Sequence, residues 1–332
     1  VPYLTTTIAE DHAAAGDTPA SRISMKAPHP GLTTTVPREY VHRAAVSEVF
    51  LTGWEAAEPV GSGSRDTFVV RAQWPRSHTL FTKEGVHQDP MLLIESVRQV
   101  GSLLAHAEFG VPFGHQFLMD EIFFDAAPEL LLAVDTPTDI EMHTVCSDIS
   151  RRGKGLSGMR YDVVVVRDGV ALAGAGASFR CMSPSVFQRL RGDRPTTAAR
   201  TAPPAARPEA VGHISARHVV LAEAAPGAHN RWELRVDTAH PTYFDHPVDH
   251  VPGMVLLEAA RQAAHASTGL PDALVLGMRS TFTRYAEFDA PCWIEARTEP
   301  LGSVGDMLVR VCGTQRGERL FTADLVVSPR DH

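Results

Sequence analysis

Apolar and polar positions along the chain fall into two similar blocks, set off by stretches that have no period. Residues 1–37 are rich in Ala, Thr, Pro and Gly without a sustained apolar face, and predict a loosely ordered arm. A second such stretch, 191–210, is rich in Pro, Ala and Thr and predicts an interdomain linker. The blocks 38–190 and 211–332 then predict one domain each. In each block a proline-containing loop leads into a run that is apolar on most faces, from Pro90 to Glu108 and from Pro252 to Ser267. Pro90 and the Pro252–Gly253 pair stand where a helix start tolerates them. Met91, Leu92, Leu93, Ile94, Val97, Val100, Leu103 and Leu104 leave the first helix little face for water, so it must be enclosed. Each block ends in two apolar runs around a short polar turn: DVVVVRDGVALAGAGASF over 162–179 and MLVRVCGTQRGERLFTADLVV over 307–327. The RDG and QRG turns predict antiparallel hairpins. One buried helix per block, wrapped by a curved antiparallel sheet, predicts an α+β chain of tandem hotdog architecture.

The blocks are copies of one unit. HQDPMLLIESVRQ (87–99) and HVPGMVLLEAARQ (250–262) agree at six of thirteen positions. Extended upstream without gaps, the match sets Thr79 and Phe81 against Thr242 and Phe244. Both helices carry Glu and Arg at i, i+3, followed by Gln: Glu95, Arg98, Gln99 and Glu258, Arg261, Gln262. On an exposed helix this would be a surface ion pair worth a few tenths of a kcal/mol. Here the helices have almost no solvent face, and burying such a pair costs more than it usually returns. Its duplication therefore points to a site.

Net charge is −8, which disfavours nucleic acid as a partner. No run approaches the ~18 apolar residues of a membrane span. The first residues have neither a basic nor an apolar secretory segment, so a cytoplasmic location is expected. The four cysteines, Cys146, Cys181, Cys292 and Cys312, have no metal-site spacing and are expected as buried free thiols. Asp245, His246, Asp249 and His250 form a cluster that superficially resembles a metal site. It is not duplicated, since Thr82, Lys83 and Val86 stand at the positions equivalent to Asp245, His246 and Asp249, and a pocket-lining role is the stronger reading. His87 and His250 do recur before each helix, as substrate-facing groups. GSGS at Gly61 and GAG at Gly174 lack the strand–turn–helix context of a phosphate-binding loop.

FDHPVDHVPGMVLLEAARQ (244–262) resembles the signature of the A-factor (γ-butyrolactone) biosynthesis hotdog family, the AfsA-like proteins, with EVFLT and HQDPMLLIESVRQ as its first-repeat counterpart. The resemblance spans both repeats. It implies an acyltransferase of autoregulator synthesis that moves a β-ketoacyl group from acyl carrier protein to the hydroxyl of dihydroxyacetone phosphate. No metal or redox cofactor is implied. In this reading Glu258, its pKa raised by burial, is the general base or orients the attacking hydroxyl, and Arg261 holds the phosphate. The N–H groups of Gly253 and Met254 receive the oxyanion. Glu95 and Arg98 form the first-half counterpart or complete a composite site. His87, His246, His250, Phe81, Phe244, Gln99 and Gln262 bind substrate. The implied assembly is a monomeric pseudo-dimer or a homodimer.

The segment is more distantly similar to fatty-acid dehydratases of hotdog fold, whose catalytic Glu matches Glu258. Their catalytic His, however, falls on Phe244 here, with Phe81 in the first half. A thioesterase or dehydratase is the alternative enzyme, and an acyl- or lactone-binding regulatory protein the non-enzymatic one. Glu258→Gln and Arg261→Ala are expected to leave folding largely intact and to reduce turnover by orders of magnitude.

Overall fold

The computed structural model describes residues 33–58, 66–81, 85–192, 200–302 and 305–329. The predicted arm over 1–32, the GSGS stretch, Thr82, Lys83 and positions 193–199 of the predicted linker lie outside them. The first repeat contributes β1 (Leu51–Ala56), β2 (Asp66–Trp74), α1 (Met91–Ala107), β3 (Gln116–Ala126), β4 (Thr138–Arg152), β5 (Gly155–Arg167) and β6 (Val170–Met182), followed by α2 (Pro184–Arg191). The second contributes β7 (Arg231–Glu233), α3 (Gly253–Thr268), β8 (Leu274–Phe282), β9 (Cys292–Pro300), β10 (Met307–Gln315) and β11 (Glu318–Ser328).

The strands form one antiparallel sheet in the order β1-β2-β4-β5-β6-β3-β8-β11-β10-β9-β7. The middle pair fuses the repeats, with Glu121 opposite Thr281 and Asp125 opposite Gly277. Outward from that seam, β6, β5, β4 on one side mirror β11, β10, β9 on the other. Each helix lies against its own half of the sheet, and nearly every α1 side chain from Met91 to His106 is buried. This is the tandem hotdog. No helix among the described residues is long and apolar enough to cross a membrane.

Local chemistry sets the element ends. Asp168 and Gly169 have φ of 51° and 78°, and Arg316 and Gly317 have 55° and 79°. These are two-residue type I′ turns, whose twist matches the strands they join at Arg167–Val170 and Gln315–Glu318. Helix α3 stops at Gly269 (φ 68°), whose N–H donates to His265 O. The helices begin differently. The Asp89 carboxylate accepts the Met91 N–H at the start of α1 (2.8 Å), whereas α3 follows Pro252 and has no side-chain cap.

Gln99 and Gln262 stitch each helix to the segment entering the sheet. The Gln99 amide accepts from Phe50 N–H (3.0 Å) and donates to Glu48 O (2.8 Å) and Glu95 Oε1 (2.7 Å). Gln262 repeats this with Val220 N–H, His218 O and Glu258 Oε1. Both amides are inaccessible and engaged, so the structure gives them a scaffold position rather than a substrate-facing one.

Four features depart from the sequence reading. Helix α2 was not predicted. Residues 200–210 pack on the second repeat, where the Ala206 N–H donates to Leu221 O and Pro208–Val211 form a 3₁₀ turn, because their backbone groups need partners. Val36, within the predicted arm, is likewise buried, its N–H donating to Leu51 O. The gap-free loop alignment also shifts. His78 Nδ1 accepts from Leu80 and Phe81 N–H, and His240 Nδ1 from Thr242 and Tyr243 N–H. These caps set Phe81 against Tyr243, not Phe244, so the second loop holds one extra residue before α3.

Cys146, Cys181 and Cys292 are buried free thiols and Cys312 is half-buried. Burial pushes the thiols of Cys146 and Cys292 up to about 12.

Gly101 on α1 is a close-approach position. The Tyr161 hydroxyl donates to Val97 O at 2.7 Å, and a Cβ at Gly101 would meet that hydroxyl at 2.7 Å. Gly101→Ala is expected to displace Tyr161 and cost about 1–3 kcal/mol. Denaturant unfolding checks this, and unchanged stability would show that the ring has room to move.

Candidate functional site

The sheet seam sets the helix of each repeat against the loop that starts the other repeat's helix. Two half-sites result, and they differ. The first joins α1 to the start of α3 and opens into a cavity of about 870 Å³. Its walls include Arg98, Gly101 and Ser102 of α1, His246 to His250 and Pro252 of the loop, and Gly253, Met254 and Leu257 of α3. Phe81, Phe117, Ile122 and Phe179 make much of it apolar. The second half-site, between α3 and the start of α1, retains a void of about 10 Å³ among Gln88, Asp89, Pro90, Arg261, His265 and 273–275. It is filled by the protein itself.

Each half-site has a buried carboxylate at its centre. Glu95 accepts from Arg98 Nε and Nη2 (2.8 Å each), from Arg43 Nε (3.0 Å) and from Gln99. Burial alone would raise its pKa, but Arg43 and Arg98 hold it at about 2. Glu258 accepts from Arg261 Nε and Nη2 (3.0 and 2.9 Å), from His213 Nε2 (2.7 Å) and from Gln262. Burial again opposes ionisation, and Arg261 and His213 again outweigh it, holding Glu258 well below the carboxylate range. The expectation that burial raises the Glu258 pKa is therefore corrected: its neighbours reverse the sign and hold the carboxylate ionised. Glu258 and Arg261 are 1% and 3% exposed, and neither lines the open cavity. Glu95 also lies behind the wall, and of the two Glu–Arg pairs only Arg98 reaches it. Its Nη2 donates to Val41 O as well, and Nη1 has no acceptor among the described residues.

The loop before α3 carries two histidines, each paired with an aspartate. His250 Nδ1 lies 2.6 Å from Asp249 Oδ1. The hydrogen bond from His250, with Arg191 behind, holds Asp249 at about 2 against the effect of burial. An ionised Asp249 can only accept, so Nδ1 carries the proton and Nε2 of the neutral ring has the lone pair. Arg191, the last residue of α2, donates from Nε to Asp249 Oδ2 (3.0 Å), pairs with Glu287, and lies 4.5 Å from the Tyr285 ring centre. The Tyr285 ring in turn meets His250 edge-on at 4.6 Å. His246 makes a second dyad with Asp245, which Arg43 and the Ala44 N–H hold from the first repeat. Each histidine thus faces its own aspartate, and no set of three His, Cys, Asp or Glu among the described residues is arranged around a metal.

Of the other predicted residues, Gly253, Met254, His246 and Phe81 line the cavity. His87 sits in a bridge with Leu132, and Phe244 packs against Phe288; neither lines it. Sequence reasoning missed Arg43, His213, Asp89 and Arg191. Arg43 meets Glu95 across 52 positions, His213 meets Glu258 across 45 and Arg191 meets Asp249 across 58, while Asp89 meets Arg261 of the other repeat. The fold alone sets these partners, and only the alignment of Arg43 with His213, ahead of each repeat's first strand, could have flagged two of them.

The A-factor biosynthesis hotdog domain matches residues 25–183 and 195–329. The chain is 50% identical over 292 residues to the 2-oxo-3-(phosphooxy)propyl 3-oxoalkanoate synthase of Streptomyces virginiae, covering 88% of this chain and 97% of that one. It is 41% identical over 296 residues to the synthase of the same name from Streptomyces coelicolor, covering 87% and 90%. Among solved structures, a Lactobacillus plantarum protein assigned as an oleoyl thioesterase aligns with a TM-score of 0.51 at 12% identity, covering 81% of this chain and 98% of that one. That likeness concerns the fold.

Two stability outcomes follow from the buried networks. Arg261→Ala strands Glu258 and Asp89, and is expected to cost about 3–5 kcal/mol rather than spare folding. Denaturant unfolding measures this, and a loss under ~1 kcal/mol would mean water reaches the pair. Burial lowers the pKa of His42 to about 3, and of His240 and His265 to about 4, from 6.5. As pH falls from 6.5 toward 4, the unfolded chain binds protons that the folded chain does not, so stability must drop. The Glu95 contribution persists above 4.5 and is lost only toward about 2. A melting temperature already declining between pH 6.5 and 4.5 is expected; a flat profile there would show these imidazoles to be hydrated.

Proposed function

Because the chain belongs to the A-factor biosynthesis hotdog family, we propose that it is an acyltransferase making a 2-oxo-3-(phosphooxy)propyl 3-oxoalkanoate. The donor is a β-ketoacyl thioester on acyl carrier protein, and the acceptor is the hydroxyl of dihydroxyacetone phosphate. The observation that carries this reading is the His250–Asp249 dyad set beside the uncapped start of α3, in a largely apolar cavity that Arg98 enters from the other repeat.

The chemistry needs three things, and the cavity supplies a group for each. His250 Nε2 takes the proton of the acceptor hydroxyl as its oxygen attacks the thioester carbon. Asp249 fixes the tautomer and stabilises the imidazolium that forms. The N–H groups of Gly253 and Met254, at the positive end of α3, meet the oxyanion of the tetrahedral intermediate. Collapse of that intermediate breaks the carbon–sulfur bond, and the departing thiolate recovers the proton from His250. The ester remains on the acceptor. Phe117, Ile122 and Phe179 suit the acyl chain and keep competing water out. Glu95 and Glu258 act at a distance in this scheme, as anchors for the arginines.

Pure protein given a 3-oxoacyl thioester and dihydroxyacetone phosphate is expected to yield the phosphorylated ester by mass spectrometry. His250→Ala should lower kcat at least about 100-fold with little change in melting temperature. Free acid in place of the ester would point to a thioesterase, and full activity of His250→Ala would remove the dyad from the reaction.

A further inference from the structure

Each half-site sets the start of one helix against the arginine of the other. In the sealed half the two are bridged by Asp89: one oxygen accepts the Met91 N–H at 2.8 Å, and the other lies 3.4 Å from Arg261 Nη1. In the open half Pro252 stands in the place of Asp89, while Met254 and Arg98 stand in those of Met91 and Arg261 and both line the cavity. Two oxygens held side by side therefore fit between such donors. Burial, with Glu258 nearby, raises the Asp89 pKa in spite of Arg261. The place suits a weakly charged oxygen pair better than a dianionic phosphate.

A 3-oxoacyl thioester carries such a pair. Its thioester oxygen and its 3-oxo oxygen, turned to one side, form a slightly wider version of a carboxylate. Resting on the acyl-transfer reading above, we infer that Arg98 reads the 3-oxo group of the donor through Nη1 while the Met254 N–H takes the thioester oxygen, Asp89 being the protein's own occupant of the equivalent place in the sealed half.

The rest of the guanidinium is immobilised for this task. Nε and Nη2 are held by Glu95 and Val41 O, so Nη1 is fixed in direction. Thr242, 2% exposed, lines the same cavity, and its Oγ1 has no partner in the protein among the described residues. A saturated acyl chain would set methylene against the guanidinium N–H and leave that donor unmatched, a penalty that a ligand oxygen removes.

The test compares 3-oxoacyl and saturated acyl thioesters of equal length, with dihydroxyacetone phosphate as acceptor. Wild-type kcat/KM is expected to favour the 3-oxo donor at least about 100-fold. Arg98→Lys should cut that ratio below about tenfold, mainly through loss of the 3-oxo donor's advantage. An unchanged ratio in Arg98→Lys overturns the inference. Arg98 also anchors Glu95, so a second measurement uses the unaltered chain: calorimetric titration with unreactive 3-oxoacyl and saturated acyl amides of pantetheine. Tighter binding of the 3-oxo amide, by about tenfold or more, is expected, and equal affinities overturn the inference. Failure of the wild-type protein to form any ester would sink the acyl-transfer reading itself. Ester formation with equal use of both donors would sink only the role of Arg98.

Discussion

A carboxylate placed in the middle of an apolar helix must have both oxygens answered, and the arrangement around Glu95 and Glu258 follows from that demand. Each takes a guanidinium from one turn along its own helix, an amide from the next residue, and a cationic or polar side chain from the segment ahead of the first strand. The same amides hold that segment to the helix. Charge satisfaction and chain path are thus one problem, solved twice with Arg43 in one repeat and His213 in the other. What the networks fix is the direction of each arginine, and the carboxylates are taken up in fixing it.

The seam between β3 and β8 turns two such units into a pair of composite half-sites. Their difference comes from few residues. Asp89 fills the space at one helix start, and Pro252 leaves the other facing an apolar cavity. Helix α2 adds a further inequality, because Arg191 steadies Asp249. The first repeat therefore supplies the arginine and the support for the dyad, while the second supplies the dyad and the helix start.

Much of this was legible in the sequence. The repeat, both helices, the I′ turns at Asp168–Gly169 and Arg316–Gly317 and the Glu-x-x-Arg-Gln motif are local patterns, and local physics fixes them. The likeness of 244–262 to a known signature carried the family. The division of labour was not legible, because it depends on which loop faces which helix. Glu258 and Arg261 match the motif as well as Glu95 and Arg98 do, and only the fold shows that Asp89 and His213 close around them. The raised pKa expected for Glu258 failed chiefly because Arg261, visible in the motif, is locked onto the carboxylate and outweighs burial; the distant His213, which the sequence did not show, adds to it. His250 was singled out by its recurrence with His87, yet the structure sets His250 in the cavity and His87 outside it.

A hotdog made from two separate identical chains would carry every substitution twice, once on each side of its axis. Joining the copies along β3 and β8 in one polypeptide lifts that symmetry. An aspartate can then plug one chamber while a proline keeps its twin accessible, an inequality that no pair of identical subunits could encode. The covalent fusion is what permits one open chamber whose walls are of unlike parentage.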